Sequence, residues 1–162
     1  MTGGAYVVSS SLGDLSRAPI GASTSIWHAG FWSGLAGAVA ILPTCVLDID
    51  DDGRIDALTD GVVLLRAMNG LTGSSVIANA IGPGAKRTTW PQIQSAINLP
   101  SLDIDGDGST SAQTDGLLLI RSMFGLTGAA VTQGATGSGA QRDKWSDIRS
   151  FLNTNCGTSF AQ

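Results

Sequence analysis

Apolar residues in this chain are grouped at the spacing of helix faces. The segment 59–70 becomes largely apolar after its first residues and ends at a glycine, a common helix terminator. Further along, Trp90, Ile93 and Ile97 follow one another at intervals of three and four residues, which places them on one helix face. Pro91 lies near the start of this second segment, where proline is tolerated. The pattern predicts two helices separated by a glycine-rich turn.

The same pattern recurs 55 residues later, which indicates a tandem duplication. Residues 47–101 align with residues 102–156 without a gap, and about half of the aligned positions are identical. The copy of the first helix is expected over 114–125, and Asp143 is the predicted N-cap of the second helix. The apolar face of that second helix carries Trp145, Ile148 and Leu152. We interpret the repeated tryptophans as core residues, with sugar stacking as the alternative.

Each repeat is predicted to begin with a loop and not with a helix. Pro43 and Pro100 lie just ahead of the two loop segments, and proline disfavours a helix that enters from that side. The repeated unit is therefore loop, helix, turn and helix.

The first 44 residues show a different pattern. The strings AYVVSSSL and STSIWHAGFW favour extended structure, and the turn formers between them predict a β-hairpin or two separated strands. Two strands alone are marginal in water, so we expect them to pack on the repeats or to complete a sheet in another molecule. The predicted fold is mainly α with a small β part, in which two loop-helix-turn-helix repeats are related by pseudo-twofold symmetry. The predicted parts are an N-terminal strand segment at 1–44, the tandem repeat domain at 45–157 and a C-terminal tail at 158–162.

Acidic residues are concentrated in the two loops. All thirteen are aspartates, and ten of them lie in the windows 47–60 and 102–115. In each window aspartates occupy three alternate positions and the last is followed by glycine, so short carboxylates can converge on one hard cation around a sharp turn. The pattern predicts one Ca²⁺ in each loop, two ions in all. The predicted ligand positions are Asp48, Asp50, Asp52, Arg54 through its carbonyl, Asp56 through a water and Asp60, followed by Asp103, Asp105, Asp107, Ser109 through its carbonyl and Asp115.

The last acid of each loop is displaced from the EF-hand position. Asp60 and Asp115 stand thirteenth in their loops, whereas an EF-hand has glutamate at the twelfth position. We expect the extra residue to let the shorter carboxylate reach the ion from the first turn of the helix. About seven oxygens would then surround the ion, which suits calcium better than octahedral magnesium, and transition metals lack His or Cys ligands here. The alternative is an aspartate-rich turn without metal.

The two cysteines bracket both loops. Cys45 and Cys156 are predicted to form a disulfide, with two unrelated buried thiols as the alternative. Oxidised cysteines and calcium loops together indicate an extracellular or cell-surface protein. No signal peptide is visible at the N-terminus, so we expect a processed form or a fragment.

Charge and hydropathy exclude several classes of protein. The formal net charge is −4, and Lys86 and Arg87 form no extended basic stripe, so nucleic-acid binding is not expected. The most apolar stretch, 29–43, is too short and too interrupted for a transmembrane segment. His28 is the only histidine, there is no glutamate, and no G-x-S-x-G motif is present, so an enzyme is not expected.

The duplicated loop with its following helix resembles the dockerin family over about 47–156. The resemblance implies calcium ligands at Asp48, Asp50, Asp52 and Asp60 and at Asp103, Asp105, Asp107 and Asp115, and it implies a clasp near the ends, here Cys45–Cys156. The string TDGLLLIRSMFGLTG is similar to dockerin-like terminal modules of bacterial extracellular proteins.

Two functions fit these expectations. The first is a non-catalytic extracellular module in which two calcium ions stabilise a surface for protein–protein contact. The second is a structural subunit that assembles through its N-terminal strands into a fibre or layer. In both cases the expected partner is a protein, either another chain or copies of this one.

Overall fold

The regular structure of the described residues is helical. The computed structural model of the protein describes residues 45–162, in which no β-strand is present. The six α-helices of this part are α1 Val62–Met68, α2 Ser74–Ile77, α3 Trp90–Ala96, α4 Asp115–Met123, α5 Ala129–Thr132 and α6 Trp145–Asn155. The mainly α prediction is therefore confirmed for these residues. The predicted β-hairpin or strand pair at 1–44 lies outside them.

The elements follow the repeat. Helices α1, α2 and α3 recur in the same order as α4, α5 and α6, and the aligned residues Trp90 and Trp145 begin the third helix of each set. The four-residue helices α2 and α5 lie inside the predicted glycine-rich turns. In the first repeat Arg66 donates from Nη1 to the carbonyl oxygens of Val76 and Ala78, at 2.9 and 2.8 Å. These bonds satisfy carbonyls at the end of α2, which its own short length leaves without partners.

Two helix starts differ from the predictions. A π-helical turn over Ala57–Gly61 precedes α1, so the α-helix proper begins at Val62 and not near residue 59. Asp143 is wrong as the N-cap of α6, because Lys144 occupies that position. Lys144 aligns with Thr89, which caps α3 in a capping box with Gln92. The register of the repeat therefore sets the start of α6, and the local capping preference of aspartate does not.

The first helices of the two repeats approach each other closely. A Cβ atom placed on Gly116 would lie 2.6 Å from Leu65 Cδ1 and 3.1 Å from Met68 Sδ. A Cβ atom on Gly61 would lie 3.0 Å from Met123 Sδ. Because glycine has no side chain, α1 and α4 can pack closely at these two positions.

A single apolar cluster forms the core of the described residues. It includes Leu64, Ile93, Leu119 and Ile148, all of which are buried. Both tryptophans that begin α3 and α6 are half-buried and pack against this cluster, as expected for core residues.

A disulfide joins the two ends of the repeat domain. Cys45 and Cys156 are bonded with a Cα–Cα separation of 4.7 Å, and both are buried. The backbone N–H of Cys45 also donates to the carbonyl oxygen of Asn155, at 3.1 Å. The predicted pairing is therefore present. None of the helices within 45–162 combines the length and the hydropathy needed to cross a membrane.

Candidate metal centres

Three carboxylates converge in each loop. Oxygen atoms of Asp48, Asp50 and Asp60 all lie within 4.8 Å of one another. The aligned residues Asp103, Asp105 and Asp115 form a second group with the same property. Each group could hold a metal ion, because several carboxylate oxygens at this separation are the ligands that a hard cation takes.

Burial sets these carboxylates apart from surface acids. Asp50 and Asp60 are each 1% exposed, and Asp105 and Asp115 are each 0% exposed. A buried carboxylate is costly unless hydrogen bonds or a cation compensate it. Backbone N–H groups donate to these carboxylates, and a cation would compensate their negative charge further.

Backbone N–H groups hold the first aspartate of each loop in place. Asp48 accepts from the N–H of Asp52 at Oδ1 and from the N–H of Gly53 at Oδ2, at 3.1 and 3.0 Å. Asp103 accepts from Asp107 and Gly108 at the same two distances. The loop thus curls around its own first side chain.

The π-helical turn explains the thirteenth position of the last aspartate. The N–H of Gly61 donates to the carbonyl oxygen of Asp56, five residues earlier, at 3.1 Å. The N–H of Gly116 donates in the same way to Ser111, at 3.0 Å. A turn closed over five residues holds one residue more than an α-helical turn. The π-helical turn accommodates the extra residue, and Asp60 therefore lies beside Asp48 and Asp50.

The environment of Asp60 raises its pKa. Burial is the largest cause, and it outweighs the backbone N–H groups of Asp56 and Ile49, which donate at 2.9 and 2.7 Å and lower the pKa. The negative charge of Asp50 adds to the increase. Burial likewise raises the pKa of Asp115, against the N–H groups of Ser111, Asp105 and Ile104. Both carboxyls are thus costly to ionise without a cation.

These raised pKa values predict that Asp60 and Asp115 make the metal-free protein less stable as the pH rises. Because the folded pKa of Asp60 and Asp115 lies above the ordinary value of 3.8, the folded chain retains protons that the unfolded chain releases. Their contribution to stability is full below 3.8 and is lost as the pH rises through the raised folded values. In calcium-free buffer, the stabilities of the wild type and of the Asp60→Asn/Asp115→Asn double variant should therefore diverge as the pH rises above 3.8, as thermal unfolding can measure.

The double variant supplies the reference for all other titrating groups. As the pH rises, the double variant should become more stable relative to the wild type, because asparagine carries no charge to bury. A difference between the two proteins that does not change with pH would contradict the prediction.

The remaining predicted ligands are not members of the three-carboxylate groups. Asp52 accepts from the N–H of Arg54 at Oδ1, and Asp107 accepts from the N–H of Ser109, both at 2.8 Å. Asp56 is exposed, and its Oδ1 accepts from the N–H of Leu58, at 2.7 Å, at the start of the π-helical turn. Metal ligation by Asp52, Asp107, the carbonyls of Arg54 and Ser109 and a water on Asp56 stays a prediction.

Sequence reasoning missed four residues that bond to the loops but lie more than 30 positions away in the sequence. Gly82 and Arg87 bond to the first loop, and Gly137 and Arg142 bond to the second. Their identity in the two repeats was the available signal. Asp51, which had no predicted role, pairs with Lys86 at 3.3 Å on the surface.

Comparisons of the chain with protein-family models, with curated proteins and with solved structures each find no match. The interpretation of the two centres therefore depends on their own geometry and chemistry.

Proposed function

We propose that this protein is a non-catalytic extracellular module of the dockerin-like type, which binds two calcium ions and uses them to stabilise a protein interaction surface. One observation carries the proposal. Two groups of three aspartates recur at aligned positions of a repeat, and in each group carboxylate oxygens of the three lie within 4.8 Å of one another. A solubilising surface acid would be neither buried nor repeated in this way.

The donor atoms favour calcium over other metals. Each group offers only carboxylate oxygens, and both cysteines are used in the disulfide. Oxygen ligands suit calcium and magnesium, and zinc and copper favour nitrogen or sulfur. Adding Asp52, a loop carbonyl and a water, with both oxygens of Asp60 bound, would give the first site about seven oxygens, within the six to eight that calcium takes. Magnesium would keep more of its waters and bind more weakly.

The position of each group supports a stabilising role. Asp60 and Asp115 lie at the starts of the two helices that meet through Gly61 and Gly116. An ion at either group therefore ties a loop to a core helix. The reciprocal close contacts of these glycines support a pseudo-twofold relation between the repeats.

The surface and the disulfide support a protein partner outside the cell. Leu58 is 64% exposed and Phe124 is 57% exposed, and exposed apolar side chains of this size are common where proteins associate. Val46, Leu71 and Leu126 are exposed as well. The partner is another protein or a second copy of this chain. The disulfide suits an oxidising compartment.

Single substitutions should remove the ions one at a time. Asp60→Asn is expected to eliminate calcium binding at the first loop and to leave the second, and Asp115→Asn is expected to do the reverse. Each change removes a charged ligand without altering side-chain size. Isothermal titration calorimetry should count two ions for the wild type and one for each variant.

Asp143→Asn is the matched control, because Asp143 is exposed and lies outside both loops. It should bind two ions like the wild type. A wild type that takes up no calcium, or an Asp60→Asn variant that still binds two ions, would refute the proposed sites.

A further inference from the structure

A turn far along the chain closes over each aspartate loop. The N–H of Gly82 donates to Oδ2 of Asp50, at 2.6 Å, across 32 residues of sequence. The N–H of Gly137 donates in the same way to Oδ2 of Asp105, at 2.5 Å. The aspartates at the third loop position are thus held by a segment that the loop itself does not contain.

An arginine at the end of the same turn engages the backbone of the first loop. Arg87 donates from Nη1 to the carbonyl oxygens of Asp48 and Ile49, at 3.1 and 2.8 Å. The backbone N–H groups of Arg87 and Lys86 both donate to the carbonyl oxygen of Asp50, at 2.8 and 3.0 Å. The carbonyls of three consecutive loop residues are fixed by this one turn, and the Arg87 guanidinium also lies 3.9 Å from the carboxylate of Asp51.

The second repeat has corresponding bonds from its own arginine. Arg142 donates from Nε to the carbonyl oxygen of Ile104 and from Nη2 to that of Asp103, both at 2.6 Å. Its backbone N–H donates to the carbonyl oxygen of Asp105, at 2.8 Å. Its guanidinium lies 4.1 Å from the ring centroid of Phe151, which holds the side chain in position. The arrangement is thus present in both repeats, although about half of the aligned positions differ.

Space next to the aspartates, and not backbone angle, restricts the residues at 82 and 137. A Cβ atom on Gly82 would collide with the carboxylate of Asp52 and would lie 3.1 Å from Oδ2 of Asp50. A Cβ atom on Gly137 would collide with the carboxylate of Asp107. Neither glycine has a positive φ. Any larger residue would therefore displace the carboxylates at the third and fifth loop positions.

We propose that the turns Gly82–Arg87 and Gly137–Arg142 belong to the two metal sites and determine their geometry. Each turn positions two loop aspartates through its glycine and fixes the loop backbone through its arginine, and in this way sets the affinity of that site for calcium. Gly82, Arg87, Gly137 and Arg142 are positioning residues, since they act through the aspartates. The inference rests on the proposed calcium-binding function.

The test compares calcium affinity at the two sites of one molecule. Changes to residues that orient metal ligands commonly cost 10–100-fold in affinity. Gly82→Ala should weaken the first site by about that factor and leave the second unchanged, and Gly137→Ala should do the reverse. Isothermal titration calorimetry on the full, oxidised chain measures both dissociation constants, with the untouched site as the internal reference.

Gly70→Ala controls for a general loss of stability. Gly70 has a φ of +78° and open space around its Cα, so alanine there strains the backbone without approaching either loop. Its thermal midpoint should fall while both calcium affinities stay within about twofold of the wild type. A merely structural role for Gly82 would make Gly82→Ala behave in the same way.

Arg87→Lys is the second variant, and it decides the question if Gly82→Ala does not fold. Lysine keeps the charge but loses the planar fork that spans two carbonyls. The first site should again weaken, with the second as reference. A wild type that binds two ions, together with either variant at unchanged affinity, would overturn this inference alone. A wild type that binds none would overturn the proposed function.

Discussion

Removing calcium is expected to lower the thermal midpoint of the protein by roughly 10–20 °C. An ion present at 100 times its dissociation constant stabilises the folded state by about 2.7 kcal/mol, so two ions contribute about 5 kcal/mol. Domains of this size are usually stable by about 5–15 kcal/mol in total. The effect is large because the ions offset the burial of Asp50, Asp60, Asp105 and Asp115, which are at most 1% exposed.

Differential scanning calorimetry at saturating calcium, at equal magnesium and with chelator measures this shift. Magnesium should restore only a small part of the midpoint, because its octahedral shell fits these loops less well. The Asp60→Asn/Asp115→Asn double variant should not respond to calcium at all. A wild-type midpoint that is the same with calcium and with chelator would contradict the stabilising role.

Loss of the disulfide is the second large effect that we expect. Replacing both Cys45 and Cys156 with serine should reduce the free energy of unfolding by about 4–5 kcal/mol, since the bond closes a loop of 111 residues in the unfolded chain. The Cα–Cα separation of 4.7 Å lies within the usual range for a disulfide. The two ends of the repeat domain are also joined by the bond between Cys45 N–H and the carbonyl of Asn155, which involves no side chain and which we expect the variant to retain.

Urea unfolding at saturating calcium measures this loss, and the wild type under reducing conditions should match the serine variant. Calcium stoichiometry should remain two in the variant, because neither cysteine belongs to a carboxylate group. A decrease below about 1 kcal/mol would show that the linkage does little to restrict the unfolded chain.

Local patterns in the sequence were sufficient to predict much of this structure. The alternate aspartates marked both loops, and the intervals between Trp90, Ile93 and Ile97 marked α3. Both signals are properties of short segments. The disulfide followed from the positions of the two cysteines around the repeat.

Features that depend on contacts across the chain were not predictable in this way. The bonds from Gly82 to Asp50 and from Arg87 to Ile49 join residues 32 and 38 positions apart, and nothing in either local sequence implies them. The start of α6 at Trp145 follows the register of the repeat and overrides the capping preference of Asp143. Identity of these residues between the two repeats is the one sequence signal for such contacts, and about half of all aligned positions share it.

A crystal structure grown in calcium, with anomalous scattering recorded at long wavelength, tests the central claim most directly. Two anomalous peaks are predicted, one among Asp48, Asp50 and Asp60 and one among Asp103, Asp105 and Asp115, each with oxygen ligands at about 2.3–2.6 Å. Saturating calcium with no peak at either group, or with ions bound only elsewhere on the molecule, would contradict it.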